Sequence, residues 1–204
     1  PAEVPKQPEP PVFKDLVLPE LFVPVKPKGT GVSRLEPQPQ LKDFDTVIFV
    51  DGAGPPGNKK GPGPASAAIV AYNTSAGTVE CHTHHGIGTN NLMEHIGYLA
   101  ALRRAVGKTL IISDSDLAHA HLHGINKVNE PHLQAMVNES RPVLDCKAHT
   151  ITFAHMHGHK GTVPNHADPQ CTWARTNQAC TGDAALFLHS ESAANAAKGP
   201  IDTR

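Results

Sequence analysis

The hydrophobic run Thr46–Val50 (T-V-I-F-V) is short and rich in β-branched residues. It reads as a strand buried on both faces, stopping at Asp51-Gly52. A Gly/Pro loop over 54–64 leads to a second apolar run, Ser66–Tyr72, and Thr78–Gly86 completes a three-stranded meander. From Leu92 the period becomes helical: Leu92, Ile96, Leu99 and Val106 fall on one face, Asn90 and Asn91 supply capping chemistry, and Gly107 is the stop. Thr109–Ser113 (T-L-I-I-S) is another buried strand, ending at Asp114. Ser115–His123 and Pro131–Leu144 read as helices, and Thr150–His155 as a fifth strand. Beyond a Gly-rich loop, Asp168-Pro169 combines an N-cap acid with Pro at the first helical position. The helix opened there is expected to turn Trp173 and Leu186 toward the core. The order β-β-β-α-β-α-α-β-α predicts an α/β fold with a mixed five-stranded sheet flanked by helices.

Composition divides the chain further. Ten of the 19 prolines fall in the first 40 residues, whereas all 14 histidines lie between His82 and His189. Proline removes backbone donors and fixes φ, so residues 1–42 are expected to form an extended arm or linker, ordered only by docking. Within it Phe13–Leu18 and Leu21–Val25 are apolar enough to lie on a partner surface. A chain starting near Asp43 should then fold with almost unchanged stability. Residues 43–189 form the expected domain, and the Ala-rich, polar residues 190–204 a fraying tail. Because the chain opens on Pro1, its natural start is expected to be missing or processed away.

Charge and cysteine narrow the function classes. Eighteen Lys and Arg against 19 Asp and Glu give a net charge of -1, which excludes a protein that holds nucleic acid by bulk positive charge. No apolar run reaches the ~18 residues of a membrane span. The four cysteines, Cys81, Cys146, Cys171 and Cys180, form no C-x-x-C pair and are expected to be reduced thiols in an intracellular compartment. Cys81, His82, His84 and His85 crowd one strand, and His155, His157 and His159 alternate, yet neither group has the paired-cysteine spacing of structural zinc. These histidines are read as polar surface or strand residues.

Four acids each sit near an element end: Asp51, Glu94, Asp114 and Asp168. If the first and fourth strands are adjacent and parallel, Asp51 and Asp114 emerge together at the carboxyl edge of the sheet, where open α/β folds build their sites. Carboxylates crowded in a confined site call for a hard divalent cation, Mg²⁺ or Mn²⁺. Taken singly, each acid could equally be a solvated cap or turn residue.

The joint pattern resembles the ribonuclease H family over about residues 43–188. It rests on Val50-Asp51-Gly52-Ala53 followed by Gly57-Asn58 and Gly61-Pro62-Gly63-Pro64; on Thr89-Asn90-Asn91-Leu92-Met93-Glu94; on Ser113-Asp114-Ser115; and on Gly158-His159-Lys160-Gly161 with Asn165 and Asp168. The resemblance implies that Asp51, Glu94, Asp114 and Asp168 hold two divalent ions, and that His159 assists proton transfer or product departure. It implies that Asn90 and Asn91 reach the minor groove of an RNA/DNA hybrid. Gly57 and Asn58 would approach the RNA backbone, and Asn165 would contact substrate. The implied activity is endonucleolytic hydrolysis of the RNA strand.

Some features depart from the family pattern. Asp116 competes with Asp114 for one position, though the S-D-S register and the strand end favour Asp114. Residues 43–190 carry 10 Lys and Arg against 12 Asp and Glu, with no basic protrusion between the middle helices. Affinity for a polyanion should therefore be weak unless a fused or associated polymerase, or a ribonucleoprotein assembly, holds the domain in place. The rival reading is an inactive ribonuclease H-like subunit that binds within such an assembly. A related nuclease acting on DNA junctions, or an exonuclease, explains Thr89-Asn90-Asn91 and the Gly158-His159 loop less well.

Overall fold

A computed structural model describes residues 3–25, 33–57, 60–158 and 161–198, the side chains of 188–192 and 198 excepted. Its sheet has the strand order β3-β2-β1-β4-β5, with β1 (Thr46–Ala53), β2 (Gly63–Asn73), β3 (Thr78–Gly88), β4 (Thr109–Ser113) and β5 (Ile151–His155). β1, β2 and β3 pair antiparallel; β4 runs parallel to β1 on its other side, and β5 parallel to β4. The β2–β3 turn is shaped by Asn73, whose Oδ1 accepts from Ala76 N at 2.9 Å, and by Gly77 at φ 65°. The remaining elements are α1 (Asn90–Arg104), α2 (Asp116–Leu122), α3 (Pro131–Lys147), α4 (Asp168–Asn177) and α5 (Ala185–Lys198).

Alternation along the central strand explains why the sequence reads as one continuous apolar run. Ile48 and Val50 face one core with Leu92, Ile96 and Leu99 of α1, Leu133 and Met136 of α3, and Phe187 of α5. Val47 and Phe49 face a second core with Val70 and Tyr72 of β2, Leu110 and Ile112 of β4, and Cys171 of α4. All four cysteines are free. Among the described residues no helix is long and apolar enough to cross a membrane.

Several expectations are corrected. Asp51 does not end β1; it pairs with Ala68 inside the strand, although the parallel ladder to β4 stops one residue earlier, at Val50 and Ser113. The cap of α1 is Thr89, which accepts from Leu92 N, and this leaves the Asn90 and Asn91 side chains free of that duty. Val106 is 63% exposed and lies beyond α1. The helix stops at Arg104 because Ala105 turns extended, and Lys147 Nζ from α3 donates to the open carbonyls of Leu102 at 2.8 Å and Ala105 at 2.9 Å. The helix from Asp168 also does not continue to Leu186. Gln178, at φ 50°, ends α4, and Leu186 belongs to α5.

The segment read as a fraying tail from residue 190 contains the second half of α5, with Ala194 fully buried. An Ala-rich stretch has high helix propensity, and packing against α1 and α3 supplies the rest. The described residues of the proline-rich arm are largely extended, and the surface they dock on is this chain's own sheet. Leu16 and Leu21 are buried in the second core. Tyr72 Oη donates to Pro11 O at 2.8 Å, and Trp173 Nε1 to Pro5 O at 2.9 Å. Trp173, expected in the core, is half-buried and anchors the arm.

Candidate active site

Asp51, Glu94, Asp114 and Asp168 line one open cleft of about 850 Å³, together with Gly52, Ala53, Gly54, Pro55, Asn90, Gly158, Thr172 and Arg175. Each acid comes from a different element: Asp51 from β1, Glu94 from the second turn of α1, Asp114 from the residue after β4, Asp168 from the first residue of α4. Asp168 is therefore inside the helix. The residue before it, Ala167, makes no side-chain cap, and Asn165 O accepts from Asp168 N at 3.0 Å. Helix boundaries shift by one residue readily, and here the shift leaves the Asp168 carboxylate free to face the cleft.

β1 and α1 approach closely because Gly52 has no side chain. A Cβ there would lie 2.5 Å from Glu94 N. Gly158 does the same beside β4, where a Cβ would lie 2.9 Å from Asp114 Oδ2. Glu94 is oriented by two donors, Ser115 Oγ to Oε2 at 2.7 Å and Asn90 Nδ2 to Oε1 at 3.0 Å. Burial pushes its carboxyl up to about 7 against these hydrogen bonds. Asp51 is more affected. Burial, then the charges of Asp114 and Asp168, raise it to about 9, although Gly52 N donates to its Oδ1 at 2.9 Å.

Positive charge brought among the acids would offset the upward shifts of Asp51 and Glu94. Four carboxylates are hard oxygen donors of the kind that Mg²⁺ or Mn²⁺ takes, and a divalent cation would supply that charge, so the donor set fits such an ion. Among the described residues no three His, Cys, Asp or Glu side chains are drawn together as a ready-made metal cage. The acids instead stand around the walls of the cleft.

The other site expectations divide. Asn90 lines the cleft, whereas Asn91 and Gly57 do not. Asn165 is buried and both ends of its amide hold backbone: Nδ2 donates to Val50 O at 2.9 Å and Oδ1 accepts from Ala167 N at 3.1 Å. It braces the strand that carries Asp51 against the start of α4. Asn58 and His159 lie outside the described residues. Asp116 points away, pairing with His155 Nδ1 at 3.0 Å. Sequence reasoning missed Arg175, the one described cation lining the cleft, whose Nη1 donates to Gly54 O at 2.7 Å. Its signal was present: Asp168, Thr172 and Arg175 follow a four-then-three spacing on one helix face.

The model of the RNase H family matches residues 43–175. Among solved structures, LC11-RNase H1 in complex with RNA/DNA hybrid is 22% identical at a TM-score of 0.53, covering 65% of this chain and 98% of that one. A second LC11-RNase H1 structure, isolated from compost by a metagenomic approach, is 24% identical at 0.54, covering 66% and 97%. RNase H1 from the halophilic archaeon Halobacterium salinarum NRC-1 is 24% identical at 0.50, covering 66% and 98%. At these identities the likeness is one of fold. No curated protein matches the chain.

Proposed function

The chain belongs to the RNase H family, and from that premise we propose that it is a divalent-metal-dependent endonuclease that hydrolyses the RNA strand of RNA/DNA hybrids. The observation that carries this reading is the convergence of Asp51, Glu94, Asp114 and Asp168, from four elements, on one open cleft. These four residues would hold two Mg²⁺ or Mn²⁺ ions. Such ions, when bound, activate the attacking water and stabilise the leaving oxygen.

The chain's own residues supply orientation and proton handling. Ser115 and Asn90 fix the Glu94 carboxylate, so its oxygens are presented in one orientation. Asn90, on the cleft rim, can donate to and accept from 2′-hydroxyls in the wide minor groove of an A-like duplex, with Asn91 beside it. Gly57 and Asn58 approach the RNA backbone. Arg175, tethered at Gly54, offers a guanidinium to a phosphate. As the water oxygen bonds to phosphorus, the bond to the leaving oxygen breaks and that oxygen needs a proton. His159, flanked by Gly158 and Gly161, is the group that passes it.

With a net charge of -1 the chain needs a partner to hold it on its substrate, such as a fused or associated polymerase or a ribonucleoprotein assembly. The deciding experiment is cleavage of an end-labelled hybrid in Mg²⁺ beside Asp51→Asn. Cleavage confined to the RNA strand and lost in the variant is expected. A wild-type chain that folds and binds the hybrid without cutting it would overturn the enzyme reading in favour of an inactive binding subunit.

A further inference from the structure

The proline-rich arm does more than cover apolar surface. Residues 21–23 and 33–35 form a small ribbon: Val23 N donates to Ser33 O at 2.8 Å and Leu35 N to Leu21 O at 2.9 Å. Gln38 locks it, accepting from Leu21 N at 2.9 Å and donating to Leu21 O at 2.8 Å. The other edge of the ribbon joins the sheet. Phe22 N donates to His155 O at 2.8 Å and Phe22 O accepts from His155 N at 3.0 Å, so the arm pairs antiparallel with the last residue of β5. Beyond that residue the Phe22 ring packs on His157, with centroids 4.2 Å apart.

The next residue is Gly158, whose backbone stands so close to Asp114 that a Cβ would meet Oδ2 at 2.9 Å. A continuous path therefore runs from the arm, through the end of β5, to one of the four acids. Two neighbouring cavities trace the same connection. One, of about 290 Å³, is lined by Phe22 and His157; the other, of about 220 Å³, by Asp114 and Asp168; Gly161 and Val163 line both. The path also passes His155, whose Nδ1 pairs with Asp116 Oδ1 at 3.0 Å.

We infer that the arm is part of the candidate active site, with Phe22 a positioning residue that fixes the Asp114 carboxylate through His157 and Gly158. The inference rests on the reading of Asp114 as a metal ligand. It differs from a purely stabilising role, which any buried arm residue would share. Leu16 supplies that comparison: it is an arm residue buried in the second core.

The experiment titrates Mg²⁺ against the unfolding temperature of the full chain for wild type, Phe22→Ala, Phe22→Tyr, His157→Ala and Leu16→Ala, with kcat and KM on a hybrid measured alongside. Phe22→Ala should raise the Mg²⁺ midpoint about tenfold, the low end for a residue that orients a metal ligand. Phe22→Tyr should restore it, and KM for the hybrid should stay unchanged. Leu16→Ala should lower the unfolding temperature without moving the midpoint. His157 is exposed, so His157→Ala will fold even if Phe22→Ala does not, and it should move the midpoint in the same direction. Wild-type midpoints in both Phe22→Ala and His157→Ala, or an equal shift in Leu16→Ala, would overturn the inference. A wild type that binds Mg²⁺ but cuts no hybrid would overturn the proposed function while the midpoints still decide the arm's role. A wild type with no Mg²⁺ response would overturn both.

Discussion

Ser115 Oγ donates to Glu94 Oε2 at 2.7 Å while accepting from Ala118 N at 3.4 Å. One hydroxyl thus caps α2 and orients an acid on α1. The two duties can be separated by mutation. Ser115→Ala should cost about 1 kcal/mol through the lost cap. It should also weaken the Mg²⁺ response about tenfold, as loss of a ligand-orienting hydrogen bond does. Ser115→Thr should retain both, and thermal unfolding with and without Mg²⁺ reads each effect.

Asp114 and Asp116 stand two residues apart but face different neighbours. Asp114 lines the cleft, while Asp116 pairs with His155 at 3.0 Å. Asp114→Asn should therefore abolish cleavage and blunt the Mg²⁺-induced rise in unfolding temperature. Asp116→Asn should leave both near wild type. A reversed result in the same titration would move the ligand role to Asp116.

Removing residues 1–42 should be strongly destabilising, against the expectation from proline content alone. It strips Leu16 and Leu21 from the second core, each worth about 1.5–3 kcal/mol of burial. The truncated chain should unfold at markedly lower urea concentration and expose apolar surface, which chemical denaturation with a hydrophobic dye would record.

Acid should destabilise the chain through His119. Burial, then His123 and His155, lower it from 6.5 to about 3, so the folded state keeps it neutral where the unfolded chain takes up a proton. Between those two values the unfolded state binds more protons. Its contribution to stability is thus complete above about pH 6.5 and falls away as pH drops toward 3. Asp51 and Glu94, raised rather than lowered, act in the opposite sense, so the informative measurement is a difference. Denaturation midpoints at neutral pH and near pH 5 should diverge less in His119→Phe than in wild type.

What was legible in the sequence is what local chemistry writes down. Strand β4 appears as T-L-I-I-S because it is buried on both faces, and it ends one residue before Asp114. The cleft acids were legible as a set through the motifs around them, although Asp51, Glu94 and Asp168 lie within their elements and only Asp114 follows one. Less visible were features that depend on what packs later. Val106 keeps the helical period, but the chain must turn back into β4, and Lys147 closes α1 from a distant element. The arm's prolines forbid regular structure but say nothing about which surface receives Leu21. Nor does composition separate a fraying Ala-rich tail from a helix that buries Ala194.

The contact between Gly52 and Glu94 N makes charge and spacing separable at this cleft. Asp51→Asn removes a charge and leaves the backbone where it stands. Gly52→Ala keeps every charge and wedges β1 from α1, because the new methyl would fall 2.5 Å from a main-chain nitrogen that cannot rotate away. The fold thus offers a neutral mutation that displaces Glu94 relative to Asp51. Comparing the two variants would tell how much of the work done here depends on the acids being present, and how much on the interval between them.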